Sequence, residues 1–170
     1  IGRTCAVTFA GIKPASLVAV RKRGKATLAR LGRSFCRKGF SFTVLREQGE
    51  RVLVCVYHAA RLEQLLLSAE VRAFLGEQGY RYATAGEAVE TLKQRMAEGG
   101  FPHEVGVFLG YPLRDVRGFI ADPYGGTPCG AWKAYGDEEG AQRTSERWRR
   151  CSQSICRMMD SGKSLTQIFG

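Results

Sequence analysis

Apolar residues recur along this chain at two spacings, and the switches between them divide it into elements. LVAV (17–20), FSFTVLRE (40–47) and RVLVCVYH (51–58) alternate or run apolar with β-branched and aromatic residues, the pattern of buried strands. QGE between the last two supplies a glycine for a short turn, so they predict a β-hairpin. From 26 to 38 the spacing changes: Leu28, Leu31 and Phe35 mark an amphipathic helix, with Lys38 suited to its C-terminal dipole and Gly39 to its end.

Helical spacing returns at Leu62, Leu65 and Leu66, breaks near Ser68, and resumes at Val71, Phe74 and Leu75. Thr84, with Glu87 three residues on, predicts a capping box opening a helix that runs to about Glu98 and stops at Gly99-Gly100. The stretch FPHEVGVFLGYP (101–112) then predicts a buried strand. Its entrance carries the polar pair His103 and Glu104, and Gly110-Tyr111-Pro112 turns it into a helix with Pro112 at the first position. That helix places Leu113, Val116, Phe119 and Ile120 on one face. PYGGTPCGA (123–131) reads as loop and WKAYG as a last short strand. Trp148, Cys151, Ile155 and Met158/Met159 mark a closing helix, followed by a short one from Ser164. Residues 4–12 are small and apolar without a clear period, and Pro14 biases Lys13 toward an extended backbone.

The predicted order is β–α–β–β–α–α–α–β–α–β–α–α, with no repeat, low-complexity segment or linker. It predicts a single α/β domain over residues 1–170, with α+β as the neighbouring class. A mixed sheet of about four or five strands would be flanked by helices and followed by a helical C-terminus. A chain of 170 residues buries a core without covalent staples.

Charge adds a direction to this picture. The net charge is +10, and the first fifty residues carry eleven Lys/Arg against Glu47 and Glu50. Such a face attracts anions, so nucleic acid or an acidic protein are candidate partners. The basic helix 25–38 and the cluster Arg143, Arg147, Arg149 and Arg150 would supply the phosphate contacts. Aromatic residues are not interleaved with those charges, and no helix-turn-helix, zinc-finger or RNP-like motif is visible. No apolar run is long enough to span a bilayer, and IGRTCAVTFAGIK lacks the pattern of a signal peptide, so a cytoplasmic protein is expected. The six cysteines include no C-x-x-C and read as reduced thiols. No ligand spacing points to a metal and no glycine pattern to a nucleotide loop, which leaves the cofactor undefined.

The candidate chemistry comes from distant parts of the chain. His103 is a candidate general base, with Glu104 beside it, although neighbours on a strand would face opposite ways. Cys5, upstream of a histidine and an acid, follows the order of thiol hydrolases and transferases. It stands outside any predicted helix N-terminus that would activate it.

FPHEVGVFLGYPLRDVRGFI, together with TCAVTFAGIKPASL, CGAWKAYGD (129–137) and RCSQSICRMMDSGKSLTQI, carries a resemblance. These blocks resemble a bacterial domain-of-unknown-function family, thirty-seven ninety-three, found mainly in anaerobic Firmicutes. The matching positions are Cys5, Gly11, Lys13, His103, Glu104, Gly106, Gly110, Tyr111, Pro112, Cys129, Gly130, Trp132, Lys133 and Tyr135. The resemblance covers nearly the whole chain and implies kinship without an activity. Blocks that mix Cys, Lys, His, Glu, Tyr and Trp predict a small-molecule pocket at strand ends. Its catalytic candidates are Cys5, His103 and Glu104. Lys13, Tyr111, Cys129, Trp132 and Lys133 would bind the ligand, with the two lysines holding a small anion.

Overall fold

The computed structural model describes residues 1–169. Alternation along β3 (Arg51–His58) decides its architecture: Val52, Val54 and Val56 enter one core cluster, and Cys55 and Tyr57 enter another. A strand buried on both faces belongs in the middle of a sheet with a layer packed on each side. β3 lies between β1 (Ala15–Arg21) and β2 (Phe40–Gln48), antiparallel to both, and Cys55 faces Leu17 on one side and Thr43 on the other. The register of β2 slips between Val44 and Arg46, and the extra residue, Leu45, is turned into the core.

Helices cover both faces. On the first, Cys5 and Phe9 of α1 (Gly2–Phe9), Leu28 and Phe35 of α2 (Lys25–Cys36), and a leucine of the last helix pack on the β3 valines. The second face carries α3 (Ala59–Leu66), α4 (Ala69–Glu77), α5 (Ala85–Glu98), α6 (Val105–Phe108) and α7 (Leu113–Ala121). A separate hairpin, β4 (Thr127–Cys129) and β5 (Trp132–Ala134), packs beside α7 and against α8 (Glu138–Asp160), which also lies along α1. Leu165 of α9 (Leu165–Ile168) closes the first core. Among the described residues no helix is long and apolar enough to cross a membrane.

The fold is α/β, as the pattern predicts. Among the described residues the strands number five, but they do not share one mixed sheet. Three form the central sheet and two the hairpin, and every pair is antiparallel. The hairpin turn at Gly49 sets β3 beside β2, and β3 also pairs with β1, so those two parallel strands are separated by it.

Three segments differ from their predicted conformations. Residues 127–129, read as loop, form β4 because they pair with β5 across the turn at Gly130. Residues 105–108 form one helical turn rather than a strand, and residues 2–9, with no predicted element, form α1. Cys5 therefore sits inside a helix. Elsewhere the predicted punctuation holds: Gly39 has φ 80°, Ser68 precedes α4, and the Thr84 side chain accepts the Glu87 N–H. The Glu87 carboxylate completes the box one residue early, on the Ala83 N–H at 2.6 Å. Pro112 stands at the N-cap of α7, one position before its predicted place.

Candidate functional site

The blocks that mark this sequence meet where α6, α7, the β4–β5 hairpin and the end of α1 come together. The α1 terminus hooks back on itself, with the Ile12 and Lys13 N–H groups both bonded to the Val7 carbonyl, at 3.1 and 3.2 Å. Gly11, at φ 69°, allows that reversal. Lys13 is thereby presented toward the turn after α6. There Gly110, at φ 77°, reverses the chain, and the Tyr111 N–H bonds to the Gly106 carbonyl at 3.0 Å. Gly106 itself has no room for a Cβ, which would stand 2.9 Å from Val116. α6 and α7 can pack this closely only because of it.

Asp115 organises the other side. It is buried, and its two oxygens accept the Trp132 indole N–H and the Tyr135 backbone N–H, each at 2.8 Å. Trp132 is thereby fixed in a stack on Tyr111, with ring centroids 5.0 Å apart and an interplanar angle of 20°. Trp148 from α8 packs on both rings, at 5.3 Å from Trp132 and 6.1 Å from Tyr111. The hairpin turn that delivers Trp132 uses Gly130 at φ 62°, where any Cβ would collide with Ser145. Tyr135 donates its hydroxyl to the Asp122 carbonyl at 2.6 Å and pins the preceding loop.

Tyr111 and Trp132 form one wall of a mostly apolar cavity of about 590 Å³, completed by Val105, Leu109, Val116 and Phe119. His103 stands at its exposed rim with its ring 5.1 Å from Phe119. This volume falls within the range of small-molecule sites. A larger, more polar cleft of about 880 Å³ also reaches Asp115, between α4, α7 and the start of α8. Its walls hold Arg114 and Arg117 but none of the aromatic residues.

The predicted site residues divide into two groups. His103, Tyr111, Trp132 and Lys133 line the cavity, and Lys13 contacts Tyr111 from outside it. Glu104, Cys5 and Cys129 are elsewhere. Glu104 is buried and accepts hydrogen bonds from Arg95 Nε at 2.6 Å and from the Tyr80 hydroxyl at 3.1 Å. His103 and Glu104 thus point to different surroundings, although the backbone between them is a helix start and not a strand. Burial and the Glu104 carboxylate push the Tyr80 phenol well above its usual range, so it remains a donor. Cys5 is fully buried in the core beneath α1, and desolvation pushes its thiol up to about 12. It lines none of the clefts described here. Cys129 packs into a small cluster with Ala134 and Ala141.

The lysines also part ways. Lys133 gives its ammonium to the carbonyls of Pro123 and Gly125, at 2.9 and 3.1 Å, and holds the 123–125 loop. Lys13 places its amine 4.9 Å from the Trp148 ring centre and 5.3 Å from that of Tyr111, and burial lowers its pKa to about 8. Among the described residues no three His, Cys, Asp or Glu side chains stand close enough to share a metal ion.

Two residues organise the site without being read as part of it from pattern: Asp115, and Trp148, which pattern gives only as a marker of the closing helix. The available signal was an acid placed directly before the core position Val116 and a tryptophan within a strongly charged helix. The basic surface is partly self-neutralised: Arg149 and Arg150 share Glu146 at 2.8 and 2.9 Å, and Lys25 pairs with Glu47 at 2.6 Å.

The profile of the family described as "Protein of unknown function (DUF3793)" matches residues 1–169. No curated protein and no solved structure matches the chain.

Proposed function

The chain belongs to the DUF3793 family, and from that premise we propose that it binds a small molecule whose flat apolar part enters the cavity between α6, α7 and the β4–β5 hairpin. The observation that carries this reading is the Tyr111–Trp132 stack, held by the Asp115–indole hydrogen bond at 2.8 Å. A ring pair fixed before the ligand arrives loses little conformational freedom on binding, which favours a planar group laid against it. His103 at the rim supplies the polar contact. In its cationic form it pairs with an anionic substituent, so a small aromatic or unsaturated acid is the ligand class that fits.

If the domain is an enzyme, His103 is the group placed for acid–base work at this cavity. The buried Cys5 thiol and the hydrogen-bonded Glu104 carboxylate are not at hand to assist it. Lys133 contributes by holding the loop rather than by gripping an anion.

Native mass spectrometry on protein taken directly from a cell extract tests the reading. Wild-type protein should retain a small-molecule adduct that is missing from Ala131→Trp, a substitution at the exposed cavity margin. A bare wild-type mass, with tryptophan emission unchanged by a panel of flat aromatic acids, would sink it.

A second reading rests on α2, where Arg30 and Arg33, followed by Arg37 just beyond its end, stand exposed at three- and four-residue spacing. In that reading the helix docks on nucleic acid or an acidic protein. Its signature is affinity that falls steeply with salt and is lost in Arg30→Ala/Arg33→Ala; salt-independent retention counts against it.

A further inference from the structure

Lys13 stands apart from the cavity, which neither it nor Trp148 lines. We propose that the Lys13 ε-amine is a nucleophile that captures small aldehydes or ketones as an imine, beside the rings of Tyr111 and Trp148. This site shares Tyr111 with the cavity wall but does not depend on a ligand being bound there.

Three observations support it. The amine lies against two rings, and none of the ion pairs among the described residues includes it. No hydrogen-bond acceptor for it stands among the described residues either, yet it is not sealed. Lys13 is half-buried, so part of its side chain meets solvent. Finally, the backbone that presents it is fixed, through the hook onto the Val7 carbonyl and through Pro14, whose carbonyl accepts the His58 N–H at 3.1 Å.

A lysine held in apolar surroundings without a counter-ion is the usual form of an imine-forming residue, because the neutral amine is the attacking species. Burial brings this amine down to about 8. The titratable groups facing it are the thiols of Cys5 on α1 and Cys55 on β3, which oppose that shift, and the Tyr111 phenol. At neutral pH its neutral fraction exceeds that of a surface lysine by on the order of a hundredfold.

In the step itself, the nitrogen lone pair forms a bond to the carbonyl carbon while the carbonyl π pair moves to oxygen. A proton passes from nitrogen to that oxygen. The nitrogen lone pair then expels it as hydroxide, which takes up a proton and leaves as water. The product iminium is a cation lying against the same two aromatic faces that the amine contacts.

Reductive labelling tests this on the unmodified protein, with acetaldehyde as probe and cyanoborohydride as hydride donor at pH 7. Ethyl groups are then located by peptide mass spectrometry. Lys13 should label at least ten times faster than Lys22, Lys93 and Lys163, and this fast phase should vanish in Lys13→Met. Labelling of Lys13 at or below the rate of those three surface lysines would overturn the proposal.

Discussion

Gly110 lies so close to Pro14 that a Cβ on the glycine would stand 2.7 Å from the proline Cδ. This contact joins the GIKP and FLGYP blocks, almost a hundred residues apart in sequence, and sets Lys13 against Tyr111. Gly110→Ala meets two obstacles, the collision and a φ of 77° that L side chains rarely adopt. The expected loss is about 2–4 kcal/mol of stability, measured by urea unfolding. The same variant should shift tryptophan emission to the red before global unfolding, because the Tyr111–Trp132 stack loosens first.

Asp115 offers a more local test of the same wall. Asp115→Ala leaves the Trp132 indole and the Tyr135 amide without acceptors, at a cost of about 3 kcal/mol. Asp115→Asn keeps an oxygen for one donor and should cost about half as much. Thermal unfolding of both variants checks the order.

Glu104, although it neighbours His103, is predicted to act on stability. Glu104→Ala strands the Tyr80 hydroxyl and frees Arg95 beside its ring, for a loss of about 3 kcal/mol. Ligand affinity corrected for folding should not change. A variant that folds as well as wild type but loses ligand would place Glu104 in the site after all.

The Lys13 environment predicts a pH dependence. In the folded chain its amine releases a proton above about pH 8, whereas in the unfolded chain it holds that proton to about 10.5. Between those values the unfolded state binds more protons, so stability rises with pH. From pH 7 to pH 9 wild type should gain about 1 kcal/mol relative to Lys13→Met. Cys5 and Cys55, both pushed up to about 12, act in the other direction above about pH 9, since their unfolded thiols ionise first. They are common to both proteins and cancel in the comparison, made by urea unfolding across this range.

The three strands of the central sheet and the long helices were legible because they are long enough for periodicity to speak, whereas the three residues of β4 read as loop. β2, β3, α5 and α8 each fill several repeats of their pattern, and Gly39, Ser68 and Thr84 punctuate them as read. α6 was misread because a run as short as VGVF fits either period, and only its packing on α7 through Gly106 decides between them. α1 was missed because its residues are buried nearly all round, which erases amphipathic contrast. The site was legible as a set of blocks but not as roles. Pattern identifies Lys133 and Cys129 as chemistry-bearing residue types, whereas the direction of each side chain depends on the hairpin and on Asp115.

The most direct measurement is a nitrogen–proton NMR screen of flat aromatic acids against the labelled protein. Binders should move the Trp132 indole N–H together with the amides of His103, Gly130 and Ala131, and leave the α2 amides still. Shifts confined to α2, or no binder at all, would contradict a ligand site at the Tyr111–Trp132 wall.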